Sequence, residues 1–129
     1  MALDPAHLSP AALDFLTTRH LATLTTLRPD GTPHVVPVGF TWDPEHQLAR
    51  VITSGSSRKA RNAAAGCHAV LCQVDGRHWL ALEGQASVLT APDEVREAEQ
   101  RYAARYRQPR VNPERVVIAV AVDRVLGNL

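Results

Sequence analysis

Lysine is almost missing from this 129-residue chain: Lys59 stands alone beside thirteen arginines. Cysteine is scarce as well, and aromatic residues make up only 5%. The two cysteines, Cys67 and Cys72, fall five positions apart on one predicted strand. An odd offset sends them to opposite faces, roughly 16 Å apart at about 3.3 Å per residue, too far for a disulfide. No CxxC pair occurs, and the six histidines (His7, His20, His34, His46, His68, His78) form no HxxxH or HxH pair. These absences argue against a disulfide scaffold and against a structural metal.

Long apolar runs are lacking too; none approaches the roughly 18 residues of a membrane span. The start, MALDPAHLSPAALDF, has neither the basic region nor the apolar core of a secretion signal. A net charge of +1 and a pI of about 7.9 give no broad basic field for nucleic acid or anionic membrane. The expectation is a cytoplasmic protein with no nucleic-acid or membrane partner, forming one domain over residues 1–129. GxGxxG and GxxxxGK[ST] are absent, as are GxSxG, HExxH and any local carboxylate dyad. With no nucleophile–base pair, the chain either takes its chemistry from a cofactor or only binds.

What is present reads as alternating strands and short helices. Ser9-Pro10 before AALDFL starts a helix to about Arg19, with Leu13 and Leu16 on its buried side. Leu21 to Leu27 alternates leucine with small or hydroxyl residues, a half-buried strand. A Pro29-Asp30-Gly31 turn leads to a second strand, His34 to Trp42, whose Pro37 places it at an edge or a bulge. Leu48 to Thr53 is a third, and the three suggest an antiparallel meander. His68–Val74 and His78–Leu89 flank an Asp75-Gly76 turn as a hairpin, with Gly84 at a bulge. A helix from Thr90 to about Tyr106 and an apolar strand, Arg115 to Val122, follow. Six strands with three inserted helices predict a small closed barrel.

Two stretches invite chemistry. TSGSSRKARN, Thr53 to Asn62, gathers hydroxyls, a glycine and then Arg58 and Lys59 at a helix start capped by Ser56 or Ser57 and stopped at Gly66. Every group there is a donor, as a phosphate monoester requires, but an ordinary capped helix with a solvated basic end has the same composition. REAEQRYAARYRQPR interleaves Arg96, Arg101, Arg105, Arg107 and Arg110 with Tyr102 and Tyr106. Arginine beside tyrosine can stack on a planar ligand, while a solvated helix face is the simpler reading.

From FLTTRHLATLTTLRPDGTPHVVPVGFTWDPEHQLARVITSGSSRKARN through AVLCQVDGRHWLALEGQASV to RYAARYRQPRVNPERVVIAVAVDRVLG, the chain resembles the flavin/deazaflavin split-barrel oxidoreductases. This is the pyridoxamine-phosphate-oxidase-like superfamily. Within it, the chain is most similar to the actinobacterial reductases that use coenzyme F420 on biliverdin. The resemblance implies a mainly β fold with inserted helices: a six-stranded antiparallel split β-barrel of the FMN-binding type, homodimeric, with cofactor sites at the dimer interface. It implies that Ser57 and Lys59 contact the cofactor phosphate, with Thr53, Ser54, Arg58 and Asn62 close by. It lays the strand His34–Val38, including Val36 and Pro37, along the deazaflavin ring, and directs Trp79 towards the partner's cofactor. Ser57 stands where some relatives have arginine, which shifts phosphate charge to Lys59 and Arg58. The implied reaction is hydride transfer from reduced coenzyme F420 to a conjugated acceptor, biliverdin to bilirubin. No residue is singled out as a catalytic proton donor. The alternatives are an FMN-dependent split-barrel oxidoreductase and a non-enzymatic deazaflavin- or tetrapyrrole-binding protein.

Overall fold

Gly39 and Phe40 interrupt what the sequence presents as one long strand, and that break organises the fold. A computed structural model describes residues 2–129. In chain order it has β1 (Ala2–Leu3), α1 (Pro10–Thr17), β2 (Ala22–Leu27), β3 (Pro33–Val38), β4 (Thr41–Asp43) and β5 (Leu48–Ser54). Then come α2 (Arg58–Ala64), β6 (Cys67–Asp75), β7 (His78–Leu89), α3 (Pro92–Arg105) and β8 (Arg115–Asn128). Every strand pairing is antiparallel, in the order β3-β2-β6-β7-β8-β5-β4, with β1 added on β8.

The two edges of that sheet, β3 and β4, are consecutive in the chain and separated only by Gly39 and Phe40. The sheet therefore curls until its ends meet, yet β3 and β4 share no ladder. The barrel is split at this seam rather than closed, which corrects the closed barrel expected from strand count. Eight strands replace the expected six because His34–Trp42 divides between β3 and β4 and because β1 is added. The expected meander fails at the same point: β3 pairs β2, whereas β5 lies between β8 and β4.

Local signals act as their chemistry dictates. Ser9 caps α1 by accepting from the Ala12 N–H, with proline in the first turn. Ser57, not Ser56, caps α2, and Gly66 beyond its end takes φ +79°. Pro37 does lie on an edge strand, where its missing N–H breaks no inner ladder. The register shifts between Glu83 and Gly84, the expected bulge. α3 begins at Pro92 rather than Thr90 and has no side-chain cap.

The core is built from Leu16, Leu24, Phe40, Leu71, Leu80, Leu82, Ile118 and Val120, each at most 1% exposed. Each such side chain contributes about 1.5–3 kcal/mol by leaving water. On β2 the buried residues are Ala22, Leu24 and Thr26, while Leu21 and Leu27 are exposed. Cys67 packs against the core, Cys72 lies on the opposite face of β6, and both are free. Among the described residues, no helix is long and apolar enough to cross a membrane.

Candidate functional site

The seam opens beside a cavity of about 690 Å³, within the range typical of small-molecule sites. Pro37, Val38 and Gly39 form its wall at the end of β3, and Val51 to Ser54 of β5 form another. Lys59 enters from α2 and Tyr102 from α3, while Arg107 to Arg110, Asn112 and Arg115 close it from the chain between α3 and β8. The cavity has four cationic side chains in its lining and no carboxylate. Arg115 is already paired, its Nη1 2.7 Å from Glu99 Oε2. The surplus positive charge suits an anionic ligand, and the flat faces of Pro37, Tyr102 and Pro109 suit a planar one.

Hydrogen bonds hold the far wall in place. Asn112 Nδ2 donates to Ser54 Oγ at 2.9 Å, and the Gly55 N–H donates to the Glu114 carbonyl at 2.9 Å. Tyr102 and Tyr106 stack with ring centroids 4.8 Å apart. A Cβ on Gly39 would lie 3.1 Å from the Tyr106 ring and 3.3 Å from Tyr102, so glycine lets both rings approach the seam.

The residues expected at a cofactor divide between places. Pro37, Val38, Thr53, Ser54 and Lys59 line the cavity together. Ser57 does not; its hydroxyl donates to the Ser54 carbonyl at 2.8 Å, accepts from the Ala60 N–H at 3.3 Å and lies 3.3 Å from Thr53 Oγ1. Arg58 and Asn62 line a different cavity of about 480 Å³, together with Arg28 and Arg61. Asn62 is buried there, donating to Thr26 Oγ1 at 3.0 Å, while its Oδ1 is buried without a partner. His34 and Val36 sit on the half-buried side of β3, outside the large cavity's lining. Burial lowers the His34 pKa, with the positive charges of Arg28, Lys59 and Arg58 adding to the effect.

Trp79 lies away from the cavity, opposite Val74 in the β6–β7 ladder. The registers Leu27–Pro33, Thr25–Val35, Thr25–Val70 and Thr23–Cys72 put Leu27, Val35, Val70 and Cys72 on one outward face. Val74 and Trp79 continue that face, where Leu27, Val35 and Val74 are exposed.

The arginine–tyrosine run is not a solvated helix face. Arg105 is buried, and Tyr106 donates its hydroxyl to the carbonyls of Phe40 at 2.9 Å and His20 at 3.0 Å. Tyr102, Arg107 and Arg110 line the cavity. Arg107 and Arg110 lie beyond the end of α3, so helical periodicity does not govern where they point. Among the described residues one group has the spacing of metal ligands, Asp43, Glu45 and His46. Asp43 there already accepts from Arg50 at 3.0 Å and from the Glu45 and His46 N–H groups, so its carboxylate is committed to the protein.

A family model described as pyridoxamine 5'-phosphate oxidase matches residues 8–128. The chain belongs to that family. It is 62% identical over 128 residues to a Mycobacterium tuberculosis protein named as a biliverdin reductase dependent on reduced F420, covering 99% of this chain and 93% of that one. A solved F420 reductase superposes with a TM-score of 0.71 at 25% identity, covering 88% of this chain and 94% of the other. A conserved hypothetical protein of Mycobacterium tuberculosis shares the fold at 22% identity, with a TM-score of 0.75 over 94% of this chain and 84% of its own.

Proposed function

We propose that this protein is an oxidoreductase that reduces biliverdin to bilirubin with reduced coenzyme F420 as donor. The observation that carries this reading is the cavity at the seam: four cations, no acid, and flat apolar walls beside Lys59. A phosphorylated planar cofactor fits that donor set. The relative at 62% identity, named for this cofactor and this substrate, supports the choice.

Bound there, the deazaflavin supplies a hydride and the protein supplies position. Lys59, with Thr53 and Ser54, holds the phosphate, and Ser57 fixes the start of α2 so that Lys59 faces the cavity. The backbone of Pro37 and Val38 orients the ring edge, and His34 and Val36 set the strand behind it. Tyr102, Arg107 and Arg110 would hold the acceptor against the cofactor. Arg58, exposed at the start of α2, serves parts of the cofactor that reach beyond the helix, and Asn62, bonded to Thr26, holds α2 against β2 from beneath.

The protein acts as a homodimer in the cytoplasm, each chain one domain. Leu27, Val35 and Val74 on one outward face support this assembly, and a second copy over that face carries Trp79 towards its partner's cavity. Light scattering should give twice the 14.1 kDa chain mass; a monomer would remove Trp79 from the site.

The decisive assay mixes protein, reduced F420 and biliverdin, and follows bilirubin formation with NADPH in parallel as donor. Turnover with the deazaflavin alone is expected. Turnover with tightly held FMN instead, or binding of both ligands without turnover, would overturn the reading.

A further inference from the structure

The cavity holds more positive charge than a phosphate uses. Lys59, Arg107, Arg110 and Arg115 line it without any carboxylate. Glu99 neutralises Arg115 at 2.7 Å. The phosphate of the proposed cofactor is a diester with a single negative charge, which Lys59 and the hydroxyls of Thr53 and Ser54 serve. The cofactor's glutamate tail reaches beyond α2. Arg107 and Arg110 remain, and neither takes part in any ion pair among the described residues. Most arginines of this chain form no ion pair among the described residues. Arg107 and Arg110, however, share the lining of one cavity that has no carboxylate to balance them, which suits an anion from outside.

We infer that Arg107 and Arg110 are the specificity residues of this site, each taking one carboxylate of a planar, dianionic acceptor; the inference rests on the function proposed above. Both lie in the segment between α3 and β8, on a different wall from Lys59. That segment is anchored, because Asn112 Nδ2 reaches Ser54 Oγ at 2.9 Å, its Oδ1 accepts the Glu114 N–H at 3.0 Å, and its carbonyl accepts the Arg115 N–H at 3.1 Å. The two guanidiniums are therefore presented from a tethered span. Guanidinium matches carboxylate in a planar, two-pronged geometry that lysine cannot reproduce. Two side chains three positions apart suit a ligand with two carboxylates on flexible arms, and biliverdin has two propionates.

The test compares biliverdin with its dimethyl ester, which keeps the conjugated system and loses both charges. Arg107→Ala and Arg110→Ala should each raise KM for the diacid about tenfold, and the double variant about a hundredfold, as expected for one charge-assisted contact each. The preference for diacid over diester should then fall towards unity, and the lysine variants should regain part of it. Both side chains are exposed, so the variants should fold. The Kd for coenzyme F420, read by its fluorescence, should move by less than about threefold, because the phosphate contacts lie elsewhere. A diacid preference unchanged in the double variant would overturn the inference and leave the function standing. So would a loss of F420 affinity matching the rise in KM, since the arginines would then serve the cofactor. Wild-type protein that turns over neither compound would overturn both.

Discussion

Arg105 on α3 donates through Nη1 to the carbonyl of Phe40 at 2.7 Å, tying the helix to the two-residue bridge across the seam. The same guanidinium reaches the Thr18 carbonyl through Nε at 3.1 Å and Nη2 at 2.9 Å, and Gln73 Oε1 at 2.7 Å. Its carbon lies 4.8 Å from the centre of the Phe40 ring. No carboxylate takes part in these contacts. One side chain thus joins the end of α1, the seam, β6 and α3, and through α3 it places Tyr102 on the cavity.

Truncating it would remove four hydrogen bonds and leave Gln73 Oε1 buried without a partner, while the Phe40 carbonyl keeps the Tyr106 hydroxyl. Arg105→Ala should lower stability by about 2–4 kcal/mol, with about 1–3 kcal/mol from the stranded acceptor and the rest from the lost packing of its stem. Arg105→Lys should recover less than half, because one ammonium cannot span carbonyls that the planar fork reaches together. Urea denaturation followed by tryptophan fluorescence measures both, and an alanine variant within 1 kcal/mol of wild type would refute the account.

Asp43 makes acid stability measurable. Burial by itself would raise its pKa; hydrogen bonds from Arg50 and His46 and the charge of Arg101 outweigh that and lower it to about 2. Because the folded value lies below the unfolded one, the ionised group adds stability above about pH 4 and loses it as pH falls through about 2. A shift of this size is worth about 2 kcal/mol. Asp43→Asn should therefore cost about that much at pH 7, with the gap to wild type closing below pH 4. Denaturation midpoints at pH 7 and pH 3 test it; a gap that stays constant with pH would show that the carboxylate charge does not matter.

Gly84 faces a backbone that leaves it no side chain. A Cβ there would overlap the Ala121 carbonyl across the β7–β8 ladder, and backbone atoms cannot swing aside. Gly84→Ala should cost more than about 3 kcal/mol or prevent folding, whereas Gly31→Ala should cost about 1 kcal/mol, because only its positive φ is at stake. Thermal melts of the pair separate crowding from backbone strain.

Which features were legible in the sequence follows from the range of the forces that make them. Ser9-Pro10, the hairpin turn at Asp75-Gly76, Gly66 beyond α2 and the bulge at Gly84 each depend on a few neighbouring residues, and all stand as read. The break at Phe40 depends on which strand accepts each half of His34–Trp42, a choice made by β2 and β5 from opposite ends of the sheet. Arg105 looks like any arginine on a charged helix until the carbonyls of Thr18 and Phe40, 87 and 65 positions away, are seen to surround it. At the site, TSGSSRKARN marks the correct helix start. The assignment of Lys59 to one cavity and Arg58 to another depends on where α2 lies against the sheet, and local sequence does not encode that.

Lys59 and Ser57 can be told apart by what their removal changes. Lys59 faces the large cavity, so Lys59→Ala should weaken coenzyme F420 binding by about ten- to a hundredfold, the worth of a charge-assisted hydrogen bond. Its stability should hardly change, since no ion pair among the described residues includes it. Ser57 spends its hydroxyl on the Ala60 N–H and the Ser54 carbonyl. Ser57→Ala should therefore cost about 0.5–2 kcal/mol of stability through the lost cap, with a smaller loss of affinity. Fluorescence titration of the cofactor and a thermal melt on each variant give both quantities. If Ser57→Ala lost as much affinity as Lys59→Ala while its melting temperature held, the hydroxyl would be a direct phosphate ligand and the capping role secondary.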